Sequence, residues 1–224
     1  MAINLIARNA RKVRQNNLGQ RFKYLLVLDF EATCDKDTII EPQEIIEVPC
    51  IAVNTQNWNV ENTFHEYVKP RINPILTPFC TDLTGIMQET IENENHFPVV
   101  FDKFCKWLEA NNFTNNPEQS AFVTCGDWDL KVMLPNQCTL DNIPIPSYLK
   151  QWINLKAVYC EATEYFPRSL KDMFNKFKLP MEGKLHSGIH DTMNMVKIVQ
   201  ILGSTFQTRF NITSSFSESD KINK

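Results

Sequence analysis

The run YLLVLDFEATC at residues 24–34 constrains this chain more than any other stretch. Every position from Leu25 to Leu28 is apolar, and Tyr24 adds only a hydroxyl. An uninterrupted run of this kind reads as a buried strand. It ends in Asp29, with Glu31 just beyond Phe30. In an extended strand residues i and i+2 share a face, so these carboxylates project side by side. Like charges that close repel and lose hydration. Something positive must sit between them.

The chain has 224 residues, 43% hydrophobic and 22% charged, enough for one large domain with a sizeable core. A net charge of −3 excludes a protein that coats nucleic acid through bulk charge, but not one that uses a local basic strip or bound cations. The seven cysteines form no Cys-x-x-Cys pair and are odd in number. Free thiols in a reducing compartment fit that pattern better than a disulfide framework or a zinc knuckle. No apolar run is long enough to span a membrane, and the first residues lack the apolar core of a signal peptide, so a cytosolic or nuclear protein is expected. The glycosylation sequons at Asn112 and Asn211 are short enough to arise by chance.

Residues 1–23 carry Arg8, Arg11, Lys12, Arg14, Arg21 and Lys23 without an acid, and read as a basic flexible arm, solvated or attracting phosphate. Residues 24–206 read as one domain, and 207–224 as a flexible polar tail. Within the domain, strands are expected at 24–30, 44–54, 62–69, 121–125 and 154–156. Thr77 and Pro78 open a short helix as N-cap and first helical residue. Further helices are expected at 98–111, 127–134, 157–165, 169–177 and 187–202. A meander followed by alternating helices and strands makes an α/β fold, a mixed five-stranded sheet flanked by helices.

Two further acids change the weight of Asp29 and Glu31, which alone could be a solvated strand end. In CGDWDLKVML, Asp129 lies just past the fourth strand, where strand ends converge on one edge of such a sheet. Asp127 competes for the chemistry but suits a helix N-cap. In LHSGIHDTMNMVKIV, Asp191 falls in the first turn of an apolar helix, and His186 precedes it in a glycine-containing loop. An acid there can merely offset the helix dipole, but on so apolar a helix it is pressed inward and needs a partner. His190 is the second candidate for the histidine role. Hard oxygen donors select Mg²⁺ or Mn²⁺ over zinc. Two such ions about 3.5–4 Å apart clamp an in-line displacement at phosphorus, and a loop histidine can take a proton from the attacking water near neutral pH.

DFEATC, DLTGI at 82–86, Trp128-Asp129 and H-x-x-x-x-D at 186–191 together resemble the DEDDh group of 3′→5′ exonucleases, which share a ribonuclease-H-like fold. Within that group, DFEATC, the following EIIE and the Trp-Asp pair are similar to the enhanced-RNAi and histone-mRNA exonuclease subfamily, over residues 24–206. The resemblance implies hydrolysis of RNA or DNA from the 3′ end to nucleoside 5′-monophosphates, with two Mg²⁺ ions for which Mn²⁺ substitutes. It implies metal ligation by Asp29, Glu31, Asp129 and Asp191, with Asp129 acting largely through water, and His186 as general base. Backbone around Phe30, Ala32 and Thr33 would receive the terminal ribose, and Leu83, Thr84, Ile86 and Trp128 would wall the terminal base. An apolar and aromatic slot accepts any base face, although Leu83 and Ile86 also suit ordinary core packing. Cys125 and His190 depart from many relatives, at positions outside the metal set. Lys184, Lys131, Arg168 and Lys171 are candidates for phosphate contacts. A nucleic-acid-binding adaptor without turnover is the alternative, but a binding module has no reason to keep clustered acids that repel phosphate. A two-carboxylate glycosidase leaves four acids and a histidine unexplained.

Overall fold

The computed structural model describes residues 19–216, and most of the expected basic arm lies outside them. The chain forms β1 (Tyr24–Leu28), β2 (Glu31–Ala32), β3 (Ile45–Asn54), β4 (Val60–Tyr67), α1 (Pro78–Thr84), α2 (Gln88–Ile91), α3 (Phe97–Ala110) and β5 (Ser120–Thr124). A π-helical turn (Asp129–Met133) leads into α4 (Leu134–Leu140). Then come β6 (Gln151–Asn154), α5 (Leu155–Thr163), α6 (Leu170–Phe177), α7 (Gly188–Ser204) and β7 (Ser214–Ser215).

The sheet runs β4–β3–β1–β5–β6–β7, with β2 pairing β3 beyond the end of β1. The pairs β1–β5 and β5–β6 are parallel, and the others are antiparallel. This is the expected mixed sheet of five long strands, with two two-residue strands added. The apolar run of β1 follows from burial on both faces. Leu25 and Val27 face a core closed by Val158, Phe174, Met195 and Val199 of α5, α6 and α7. Leu26 and Leu28 face the opposite core, closed by Val100, Phe104 and Leu134 of α3 and α4. Each such side chain contributes about 1.5–3 kcal/mol by leaving water. β3 is buried along all ten of its residues.

Thr77 caps α1 as expected, its side chain accepting from the Cys80 N–H. The fifth long strand lies three residues earlier than the sequence suggests. Asn154 accepts from the Lys156 N–H and so starts α5 where a strand was expected. The helix expected at 127–134 begins as the π turn, in which the Leu134 N–H reaches the Asp129 carbonyl. Asp127 does not cap it. Its Oδ1 accepts from Trp152 Nε1 (2.9 Å), Asn154 Nδ2 (3.2 Å) and Ser214 Oγ (2.7 Å).

The expected flexible tail is corrected over residues 207–216. Phe210 and Phe216 are buried, β7 pairs with β6, and the Phe210 N–H donates to Gln20 Oε1. The abundance of Ser, Thr and Asn hid two aromatic anchors spaced widely enough to reach separate cores. The arm is likewise docked at its end, where Phe22 is buried and Gln20 Nε2 donates to the Thr208 carbonyl.

Candidate active site

β1 and β5 are parallel neighbours, so their C-terminal ends open on one edge of the sheet. Asp29 follows β1, and Asp129 begins the π turn that follows β5. The sequence suggests a single strand through Phe30, but the ladder breaks at Asp29 and Phe30, resumes at Glu31 in the register of β1, and shifts only between Glu31 and Ala32. The Phe30 N–H, which no strand partner takes, donates to Asp129 Oδ1 at 2.9 Å. α7 brings Asp191 to the same place. Asp29, Glu31 and Asp191 each offer a carboxylate oxygen, and these oxygens lie within 4.8 Å of one another. Asp129 stands outside this trio, but its charge is the strongest of those acting on Asp29.

The electrostatics are those of a crowded anionic pocket. Burial raises Asp29 well above the carboxylate range, and Asp129, Glu31, Asp191 and Glu47 raise it further. Burial, then Glu47 and Asp191, push Glu31 up to about 9. Burial brings Asp129 to about 6 against the pull of the Phe30 N–H. Asp191 is raised by burial and partly restored by the His186 N–H, which donates to its Oδ2 at 2.8 Å. The other oxygen, Asp191 Oδ1, is buried without a hydrogen-bond partner. An orphaned carboxylate oxygen facing two more carboxylates fits a divalent cation, and the all-oxygen donor set fits a hard one. Burial pushes the nearby Cys125 thiol up to about 12, which keeps it protonated near neutral pH.

His186 lies exposed on the loop before α7, in a left-handed backbone conformation (φ 61°) that turns the chain sharply into the helix. His190 instead packs over Gly183 and accepts a long bond from the Lys184 N–H (3.4 Å). Phe30, Ala32 and Thr33 are buried. The Thr33 N–H donates to the Glu44 carbonyl and its hydroxyl accepts from the Glu44 N–H, so both are committed within the fold. Thr84 is buried and bonds the Cys80 carbonyl, and Ile86 packs in a small core with Ile46, Leu76, Cys80 and Ile91. Leu83 is half-buried and Trp128 is 40% exposed, which leaves these two as open apolar surface. Lys184, in the His186 loop, lays its stem across Gly85 at the end of α1. Gly85 has a left-handed φ of 81°, and an added Cβ there would meet that stem at 3.1 Å.

Sequence reasoning passed over Glu47. It is fully buried in β3, directly opposite Glu31 in register. The signal was present in IIEVPC, where Glu47 stands between apolar neighbours within the strand.

A family model described as Exonuclease (RNase_T) matches residues 26–199. The chain belongs to this exonuclease family. The ERI1 exoribonuclease 3 proteins of Homo sapiens and Bos taurus are each 47% identical over 184 residues, which is 82% of this chain and 54% of theirs. The chain thus spans about half the length of these relatives. Among solved structures it is similar to the nuclease domain of 3′hExo, a DEDDh family member bound to rAMP. That match has 30% identity and a TM-score of 0.81, over 88% of this chain and 100% of that domain. It is also similar to the 3′-exonuclease solved in 3′-end-specific recognition of a histone mRNA stem-loop, at 30% identity and a TM-score of 0.83, over 89% of each chain. The DEDDh exonucleases depend on divalent metal ions, and the acidic cluster of this member fits that dependence.

Proposed function

We propose that this chain is a metal-dependent 3′→5′ exoribonuclease that hydrolyses the terminal phosphodiester of an RNA 3′ end and releases nucleoside 5′-monophosphates. The observation that carries this reading is the convergence of Asp29, Glu31 and Asp191 oxygens within 4.8 Å, with Asp191 Oδ1 unpartnered. RNA is favoured over DNA by the names of the ERI1 relatives. In this reading Asp29, Glu31 and Asp191, with Asp129 acting largely through water, would hold two Mg²⁺ ions, for which Mn²⁺ would substitute. Ions bound there supply Lewis acidity, lowering the pKa of water and neutralising charge that grows on the phosphoryl oxygens.

The chain's own residues do the rest. The His186 imidazole, exposed at the mouth of the pocket, takes the proton from the attacking water on a ring nitrogen. Its backbone N–H is bonded to Asp191 Oδ2, which ties the base to a ligand. Leu83 and the exposed Trp128 indole offer apolar surface to the terminal base and set no sequence preference. Residence in a reducing compartment, cytosolic or nuclear, belongs to the same reading and is supported by seven free thiols.

The test uses 5′-labelled single-stranded RNA and matched DNA with Mg²⁺, with and without EDTA. We expect a ladder shortening from the 3′ side, faster on RNA, that vanishes with EDTA and with Asp29→Asn. Products cut at random internal positions would overturn exonuclease action, and RNA binding without shortening would favour an adaptor.

A further inference from the structure

Glu47 is a buried carboxylate that the hydrolytic chemistry itself does not employ. Placing it among the site's other acids is costly, because its charge raises both Asp29 and Glu31. Three donors converge on it. Oε2 accepts from the Gly188 N–H at 2.9 Å, and Oε1 from the Ile189 N–H at 3.1 Å and from His65 Nε2 at 2.8 Å. Both oxygens are therefore occupied from within the fold, which suits an anchor and not a metal ligand.

Gly188 and Ile189 are the first residues of α7, and their N–H groups are among those a helix leaves unsatisfied at its positive end. Ser187, the N-cap residue, supplies no side-chain bond. Glu47 fills that place from 141 positions earlier in the chain. The approach is close. A Cβ added at Gly188 would meet Glu47 Oε2 at 2.9 Å and the Asp29 carbonyl oxygen at 3.0 Å. Asp191 lies in the same first turn, its N–H bonded to the Ser187 carbonyl at 2.8 Å, and Asp191 Oδ2 in turn holds the His186 N–H. Fixing Gly188 thus fixes both a ligand and the base. His65, on β4, steadies Glu47 from behind.

We propose that Glu47, held by His65, is a positioning residue of this site: it pins the start of α7 to the sheet and sets Asp191 and His186 against Asp29 and Glu31. The proposal rests on the exonuclease reading for its kinetic consequence alone. Glu47→Gln keeps the size but replaces one acceptor oxygen with an NH₂ that faces N–H donors. In the full chain, Mn²⁺ affinity is read by electron paramagnetic resonance without RNA, kcat and KM on single-stranded RNA separately, and folding by circular dichroism and Tm. We expect a folded variant with Mn²⁺ affinity and kcat each lowered about 10- to 100-fold and KM changed less than about twofold. His65→Ala should shift both in the same direction by less, and His65→Gln, which retains an N–H donor, should recover part of the loss. Wild-type Mn²⁺ affinity and kcat in Glu47→Gln, or losses no larger than its unfolded fraction, would overturn the proposal. If that variant does not fold, the His65 pair decides: equal behaviour of His65→Ala and wild type would overturn it. A wild-type protein that binds Mn²⁺ but shortens no RNA would remove the exonuclease reading, while the Mn²⁺ comparison would still decide the role of Glu47.

Discussion

Glu31 sits opposite Glu47 across the β2–β3 pair, close to Asp191 and Asp129, and its proton is correspondingly hard to remove. Without metal, the folded state holds that proton up to about pH 9, whereas a free glutamate releases it near 4.5. Between those values the folded protein binds more protons than the unfolded one, so stability falls as pH rises. Tm in EDTA should therefore drop progressively from pH 5 to 9, and saturating Mg²⁺ should flatten the slope. Melts at a series of pH values read this directly. Glu31→Gln should raise Tm in EDTA, by about 2–4 °C for each kcal/mol of repulsion relieved, while abolishing RNA shortening. His186→Ala makes the complementary case. It should lower kcat by about 10²–10⁴ and leave Mn²⁺ binding near wild type, because the hydrogen bond to Asp191 comes from its backbone N–H, which the substitution keeps. At this scale DFEATC, Trp128-Asp129 and the His186–Asp191 spacing were legible, since each acid interrupts or directly follows an apolar pattern. The isolation of Ile86 and Thr84 within the fold was not, because a residue that walls a slot and one that fills a core have the same side chain.

α7 owes its placement to strands far away in sequence. Gly188→Ala should destabilise by about 1–3 kcal/mol through overpacking against Glu47 and the Asp29 carbonyl, measured by urea denaturation. Helix starts with a capping side chain, such as Thr77 for α1 and Ser169 for α6, were readable because the signal is local. β6 was displaced by three residues for the converse reason. Asn154 ends a strand and caps a helix at once, and propensity alone cannot tell which of its neighbours belongs to which. The break between β1 and β2 also escaped the pattern, since Asp129 supplies the missing acceptor from a hundred residues away.

Both ends of the described chain are fastened to the same body. The Gln20 side chain accepts from the Phe210 N–H and donates to the Thr208 carbonyl, Phe210 tilts against Trp58 with centroids 5.9 Å apart, and Ser214 joins the Asp127 cluster beside β6. Phe210→Ala should cost about 3–5 kcal/mol, and a chain ending at residue 206 should unfold at markedly lower urea, although neither change touches a carboxylate. The mixed sheet and its helical cover were legible from the alternation of long apolar segments. The docking of 207–216 was not, because a few aromatic anchors carry it within a polar background.

β3 runs unbroken past the gap that separates β1 from β2, buried at every position. The notch bearing Asp29 and Glu31 is thus cut into a rail that cannot stretch without shearing the sheet. Like the frame of a caliper, that rail holds the main chain beneath both carboxylates at a set spacing, so taking up a cation there would call for side-chain rotation and little movement of the sheet.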